Sequence, residues 1–239
     1  MLDLSIIIIN KNYFRFLKRC LQSCFEQKTK YNYEIIVIDD GSKDGSVQYL
    51  KQIKDKRFKF IKSKNEGIEK ASNKGFKKSI GKYVVRVDSD DYLNVNFIQT
   101  SIKEIENSKK DFVYSNYFQI DTTGKIIKKK FLPIFSKHEI IARGDFLATG
   151  TVYKREIIKN FNFYNEKTKN CGLENYELIL KLISDKKKGK KIDKFLFFYG
   201  MNKKNISVIK EKKITSYGKK LFTKMNLQQY SKNQFHPWV

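Results

Sequence analysis

Cysteine is scarce: the 239 residues hold three, Cys20, Cys24 and Cys171. Three thiols form no disulfide framework, which excludes a small cystine-stapled scaffold and points to a reducing compartment. Cys20 and Cys24 lie four apart, in register with Leu17, Leu21 and Phe25. That is the apolar stripe of an amphipathic helix, so packing is favoured over metal ligation for this pair. Long apolar runs are missing too; none approaches the ~20 residues of a membrane span. The opening Met1-Leu2-Asp3-Leu4-Ser5 leads straight into a strand rather than a signal peptide. The expectation is a cytoplasmic protein, at most peripheral at the inner face of a membrane. With two prolines in the whole chain there is no Pro-rich linker. Acidic charge is in deficit, 25 Asp and Glu against 50 Lys and Arg, for a net charge of +25. That excess brings nucleic acid and anionic membranes into view. Only six of the cations are arginine, the residue suited to bidentate readout of bases and phosphates, so no specific nucleic acid is expected as a partner.

What is present is a globular composition, 40% hydrophobic and 14% aromatic, in a length that supports one sizeable core. Leu4 to Ile9 is a β-branched run, the mark of a strand covered on both faces. A helix is expected from Tyr13 to Gln27, with Asn12 as its N-cap. Tyr33 to Ile38 reads as a second buried strand, running into Asp39-Asp40-Gly41-Ser42, with a helix from near Asp44. Phe58 to Ile61 is a third strand. The next helix runs from Gly67 to Ser79, carries Gly75 inside it and is ended by Gly81. The order βαβαβαβ implies a doubly wound α/β sheet with right-handed crossovers, in which ligands bind outside the carboxyl ends of the strands.

The fourth strand is the centre of interest. Val84-Val85-Arg86-Val87 runs directly into Asp88-Ser89-Asp90-Asp91. Three carboxylates within four residues are costly unless a cation sits among them. By itself the stretch reads equally as a divalent-metal site or as a solvated acidic turn. Strand order favours the metal, because Asn10, Asp39-Asp40 and Asp88 to Asp90 converge on one rim. Beyond residue 110 the pattern loosens. Phe112 to Ser115 is a strand, and Tyr117 to Ile120 and Lys125 to Lys128 flank Asp121-Thr122-Thr123-Gly124 as a hairpin. Thr149 to Tyr153 is a strand, Glu174 to Ser184 a helix, Phe195 to Tyr199 a strand. An amphipathic helix near Ile214 to Met225 precedes an aromatic end, Phe235-His236-Pro237-Trp238-Val239, which is expected to be mobile.

Ser5-Ile6-Ile7-Ile8-Ile9-Asn10-Lys11-Asn12, Glu34 to Ser46, Asn65-Glu66-Gly67 with Ala71 to Gly75, and Asp88-Ser89-Asp90-Asp91 together resemble the motifs of the family 2 glycosyltransferases. The resemblance covers residues 4 to about 105. It implies a GT-A nucleotide-diphospho-sugar transferase fold: a mostly parallel, Rossmann-like central sheet flanked by helices, a small acceptor-side region and a basic C-terminal tail. Residues 1–200 would form the domain, divided into a nucleotide-sugar half (1–110) and an acceptor half (111–200), with 201–239 a basic helical extension. By the same resemblance Asn10, Asn12, Asp39, Asp40, Gly67, Asp88 and Ser89 would bind the nucleotide-sugar. Asp88 and Asp90 would hold Mn²⁺ or Mg²⁺, and Asp91 would shape the acceptor side or brace the loop. The implied reaction is inverting transfer of a sugar, UDP-linked in the family's common case, to a saccharide or lipid-linked acceptor in cell-surface polysaccharide synthesis.

Inversion needs a base across the sugar from the leaving group. The family's usual Glu-Asp pair is matched here by Glu174-Asn175, and an amide is no base. Glu174 is the favoured substitute and Glu177 the alternative, unless the protein is a catalytically impaired nucleotide-sugar or glycan binder. The competing reading of Glu174 is an acid favoured by the helix dipole. Arg86 is expected to face outward and pair with a nearby acid, His138 to be a solvated loop residue, and Lys154 and Arg155 to be surface charge.

Overall fold

Seven residues of continuous burial make β1 (Leu4–Asn10) the spine of the sheet. A β-branched chain covered on both faces gains about 1.5–3 kcal/mol per large side chain removed from water, and Leu4, Ile6, Ile7 and Ile8 are wholly buried. The structure is a computed structural model and describes residues 2–143, 147, 149–160, 163–202 and 211–227. After β1 come α1 (Phe14–Phe25), β2 (Tyr33–Asp39), α2 (Ser46–Gln52), β3 (Phe58–Lys62), α3 (Ile68–Lys78) and β4 (Tyr83–Asp88). Then follow β5 (Tyr92–Leu93), α4 (Phe97–Ser108), β6 (Phe112–Ile120), β7 (Ile126–Lys130) and α5 (Lys137–Arg143). The last elements are β8 (Val152–Lys154), α6 (Arg155–Asn160), α7 (Glu174–Ser184), β9 (Gly189–Gly200) and α8 (Glu211–Lys224).

The described strands form one sheet in the order β3-β2-β1-β4-β8-β6-β9-β5, with β7 on β6. Strands β1 to β4 pair in parallel, as the βα alternation requires. Strand β8 joins antiparallel to both β4 and β6, so a single sheet carries through to the second half. Helix α3 packs on β1 and β2, and there Gly75 is required by close approach: a Cβ would stand 2.4 Å from Ile7 Cγ2.

Several expectations are corrected. Asn12 does not cap α1. It sits in the left-handed region at φ 58°, and its Oδ1 accepts the Lys43 N–H at 2.7 Å; the Phe14 N–H at the helix start goes to Asp44 Oδ2 instead. Gly81 lies beyond the end of α3, where a side chain would strike the β1 backbone, 2.6 Å from Leu4 C. The two stretches read separately, Phe112 to Ser115 and Tyr117 to Ile120, are one strand. Asn116 is buried within β6, donating to Asp193 Oδ1 and accepting from the Leu132 N–H, both at 2.9 Å. Strand β9 is twelve residues long and runs parallel to β6, with its register shifted around Asn116. The hairpin turn is as expected: Asp121 Oδ1 accepts from the N–H groups of Thr123, Gly124 and Lys125. Helix α8 buries Ile214, Leu221 and Phe222, and the Phe222 ring meets Tyr176 of α7 at 6.0 Å. The aromatic end, 235–239, lies outside the described residues.

Candidate active site

Parallel pairing brings three strand ends level. Asn10 is opposite Asp39, and Ile9 is opposite Asp88. Asn10 is fully buried and donates from Nδ2 to Asp39 Oδ2 at 2.8 Å and to Ser42 Oγ at 3.1 Å. Asp39 closes the turn by accepting the Ser42 N–H at 2.9 Å, and Ser42 Oγ also accepts the Asn12 N–H. Asn10, Asn12, Asp39 and Ser42 are thus one knot. Asn10 Oδ1 is buried within it with no hydrogen-bond partner among the described residues, an acceptor with spare capacity. Asp40 accepts the N–H groups of Glu66 and Gly67 at 2.8 and 2.9 Å, which fastens the start of α3 to the end of β2. Gly67 enters that helix at φ 98°, a value that favours glycine.

The acidic loop after β4 is built with three different environments. Asp91 is buried, accepts the Gly200 N–H at 2.8 Å on one oxygen and the Thr149 hydroxyl on the other. It ties the loop to β9 through both oxygens, the geometry of the loop brace that was one of the two expected roles. Close contact with Gly200, whose Cβ would lie 2.5 Å from the Asp90 carbonyl oxygen, completes that seam. Asp90 accepts from Asn202 Nδ2 at 2.9 Å on Oδ2. Ser89 is buried between the two acids. Asp88 is gripped by Arg86, Nε to Oδ1 at 2.9 Å and Nη2 to Oδ2 at 3.1 Å.

Burial, with Asp88 close by, pushes the Asp90 carboxyl up to about 7. Burial and Asp90 hold Asp91 well above the usual carboxylate range. Carboxylates raised in this way lack counter-charge. The donor set is all hard oxygen, which fits Mg²⁺ or Mn²⁺. Asp90 has Oδ1 to offer such an ion, and each Asp88 oxygen, although bonded to Arg86, keeps a second lone pair.

Arg86 is where the sequence reading fell short. It is buried, not outward-facing, and its third nitrogen, Nη1, donates to Glu174 Oε1 at 3.0 Å. One guanidinium therefore ties the acidic loop of β4 to the first residue of α7, 88 positions away. An arginine inside an apolar strand was the available signal, since a buried cation must be paired. Glu174 Oε2 is buried and has no hydrogen-bond partner among the described residues. Its carboxyl is raised by burial, against the pull of Arg86 and with the push of Glu69. Glu69, Cys171 and Glu174 offer ligand atoms within 4.8 Å of one another, but Glu69 is already committed to the N–H groups of Asn170 and Cys171 at 2.8 Å.

Asn175 donates to the Leu147 carbonyl and accepts from the Tyr164 hydroxyl at 3.4 Å. Glu177 turns the other way: Tyr217 of α8 donates to it at 2.7 Å and Lys181 pairs with it at 3.4 Å. Both of its oxygens are thus engaged on the α8 side of the helix. Arg155 donates to the Gly81 and Ser79 carbonyls, a structural tie in place of the surface charge expected. The His138 side chain is 86% exposed, on α5. Tyr13 and Asn202, which the sequence did not single out, close the rim beside Asp90; burial and Asp90 push the Tyr13 phenol up to about 12.

The model of glycosyl transferase family 2 matches residues 5–180. Among curated proteins, an uncharacterized glycosyltransferase of Rickettsia conorii is 37% identical over 135 residues, covering 56% of this chain and 22% of its own length. The chain spans about a fifth of the length of the first such relatives. The UDP-Glc:alpha-D-GlcNAc-diphosphoundecaprenol beta-1,3-glucosyltransferase WfaP of Escherichia coli is 30% identical over 220 residues, 88% of this chain and 82% of that one. Among solved structures, S. aureus TarS in complex with UDP-GlcNAc superposes with a TM-score of 0.76 at 17% identity, covering 97% of this chain and 68% of TarS. The fold is that of these GT-A glycosyltransferase structures.

Proposed function

The chain belongs to glycosyl transferase family 2, and from that premise we propose that it moves a sugar from a UDP-sugar to a hydroxyl of a saccharide or lipid-linked acceptor, with inversion. The observation that carries this reading is the meeting of the Asn10–Asp39 knot with an under-compensated acidic loop at the ends of three parallel strands. TarS was solved with UDP and with UDP-GlcNAc, and the name of WfaP gives a UDP-sugar donor and a diphosphoundecaprenol-linked acceptor. Both support a nucleotide-sugar donor here, and the name of WfaP supports a lipid-linked acceptor in polysaccharide synthesis. Hexosyl and N-acetylhexosaminyl donors are both within this reading.

In this scheme the unpartnered Asn10 Oδ1 accepts from the nucleobase side, and Asp40, with Gly67, fixes the loop that covers it. Asp90 with Asp88 would hold Mn²⁺ or Mg²⁺, which when bound neutralises the charge growing on the departing diphosphate. Arg86 supplies fixed positive charge behind Asp88. Glu174 acts as the base: Arg86 anchors Oε1, which leaves Oε2 to take the proton of the acceptor hydroxyl. Burial raises its pKa above the usual carboxylate range, which makes it a stronger proton acceptor.

A second reading, favoured by Asn175 at the usual base position, is a binder of nucleotide-sugar with little turnover. UDP release from a panel of UDP-sugars, with Mn²⁺ and oligosaccharide acceptors, separates the two. The expected pattern is turnover lost in both Asp90→Asn and Glu174→Gln. Turnover that survives Glu174→Gln sinks the base assignment, and binding without turnover in the unmutated chain supports the second reading.

A further inference from the structure

The described residues expose six large apolar side chains, and four of them, Ile126, Ile127, Phe131 and Ile134, fall in nine consecutive residues. The same segment carries Lys128, Lys129 and Lys130 and no acid, and Lys125 precedes it. It forms β7 and the loop after it, at the open edge of the sheet. We infer that this edge, with the aromatic row beside it, is the surface by which the protein docks on an anionic bilayer. The inference rests on the reading of the acceptor as lipid-linked.

Strand register lays out the row. Lys129 lies opposite Phe118, Phe118 opposite Phe198, and Phe198 opposite Tyr92, so one line of side chains crosses β7, β6, β9 and β5 on one face. The rings are in contact: Tyr92 and Phe198 at 4.2 Å, Phe198 and Phe118 at 5.2 Å, Phe118 and Phe195 at 4.6 Å, Phe195 and Phe131 at 5.1 Å. Cations close both ends, Arg19 over Tyr92 at 4.7 Å and Lys129 over Phe195 at 5.8 Å. Tyr92, Phe118, Phe195 and Phe198 are only half-buried, and Phe131 is 69% exposed.

Three features select a bilayer as the occupant. The inner rings stack nearly parallel, at 12°, 24° and 25°, so they cover one another's faces and present edges. A sugar ring stacks on an open aromatic face, whereas ring edges flanked by isoleucine suit an apolar layer. The lysines form an uncompensated cluster; burial and Lys128 lower the Lys130 pKa, which favours an anionic partner. The row also starts at Tyr92, next to Asp91, while Ile126 is opposite Ile120 and Ile120 opposite Gly200, whose N–H holds Asp91. Two strand spacings, about 10 Å, separate β7 from that seam. A docked bilayer would stand beside the acceptor side of the site, where a lipid-linked hydroxyl must arrive.

The test is co-sedimentation of the full chain with vesicles of phosphatidylglycerol and phosphatidylcholine in equal parts, and with phosphatidylcholine alone. Binding is expected to the first and to weaken by roughly tenfold or more on the second and in Ile127→Ser/Phe131→Ser/Ile134→Ser. Lys128→Glu/Lys129→Glu should do the same, whereas Lys219→Gln/Lys220→Gln on α8 should bind as the unmutated chain. These side chains are exposed, so circular dichroism should show the fold kept. No vesicle binding, full binding by the serine variant, or loss only in the α8 variant overturns the inference; so does a serine variant whose sole effect is to dissociate a dimer in size-exclusion chromatography. UDP release from the same proteins without vesicles is read in parallel. Its absence with the vesicle pattern intact would remove the transferase reading and leave the surface standing.

Discussion

Replacing Asp90 by Asn should make the protein more stable at pH 8 and abolish its response to Mn²⁺. Folding raises the Asp90 carboxyl to about 7 from an ordinary value near ~3.9. Between those values the native state holds a proton that the unfolded chain has released. Stability from this group is therefore fullest below about pH 4 and is lost as pH rises toward 7. Three units at about 1.4 kcal/mol each give on the order of 4 kcal/mol. That is an upper bound, because Asp90 keeps an edge open to water. For a domain of this size 1 kcal/mol moves Tm by roughly 2–4 °C. Asp90→Asn should accordingly melt several degrees above the unmutated chain at pH 8 and close to it at pH 4.5. A ligand of the native state raises Tm by mass action. Since Mn²⁺ competes with the proton on Asp90, its stabilisation should grow from pH 5.5 to pH 8. Differential scanning fluorimetry across that range, with and without Mn²⁺, reads all of this. A Mn²⁺ shift that is flat with pH, or that persists in Asp90→Asn, would refute the assignment of Asp90 as the main metal ligand.

Arg86→Met leaves Asp88 and a buried Glu174 without their shared cation, and should cost about 3–5 kcal/mol in urea unfolding. The double variant Arg86→Met/Glu174→Gln should recover part of that loss, and strict additivity would deny the coupling. Gly75→Ala drives a methyl into Ile7 and should destabilise by about 1–3 kcal/mol, with no change in m-value. Tyr217→Phe removes the α8 donor to a buried Glu177 oxygen and should lower stability by about 1–3 kcal/mol while leaving the Mn²⁺-induced Tm shift untouched.

How far the sequence was legible depended on where each residue's partners lay. The parallel half was readable because its information is local. Ile6 to Ile9 announces a doubly covered strand, Asp39-Asp40-Gly41-Ser42 a turn, and Asp121 to Gly124 a hairpin whose aspartate bonds to its own turn. Asp88 and Asp90 could be placed for the same reason, since strand order alone brings their loop beside Asn10 and Asp39. What stayed hidden is held by contacts from afar. Asn116 looks like a break until Leu132 and Asp193 satisfy it, and with them it remains inside a strand. Strand β5 is two residues long and exists through β9, a hundred residues on.

Arg86 is the sharpest case, because the sequence shows its neighbour Asp88 and conceals Glu174. Seen with one partner it is a strand residue pairing locally; with both it is the cation shared by the two halves of the site. That sharing changes the question posed by Asn175. An acid held by a buried arginine keeps its place without the aspartate usual beside it. Here Arg86 fixes one oxygen of Glu174 and leaves the other free. Under the proposed scheme, in which that second oxygen takes the acceptor's proton, Glu174→Gln, which keeps the shape while removing the proton acceptor, is the substitution that tests whether the chain transfers sugar or only binds it.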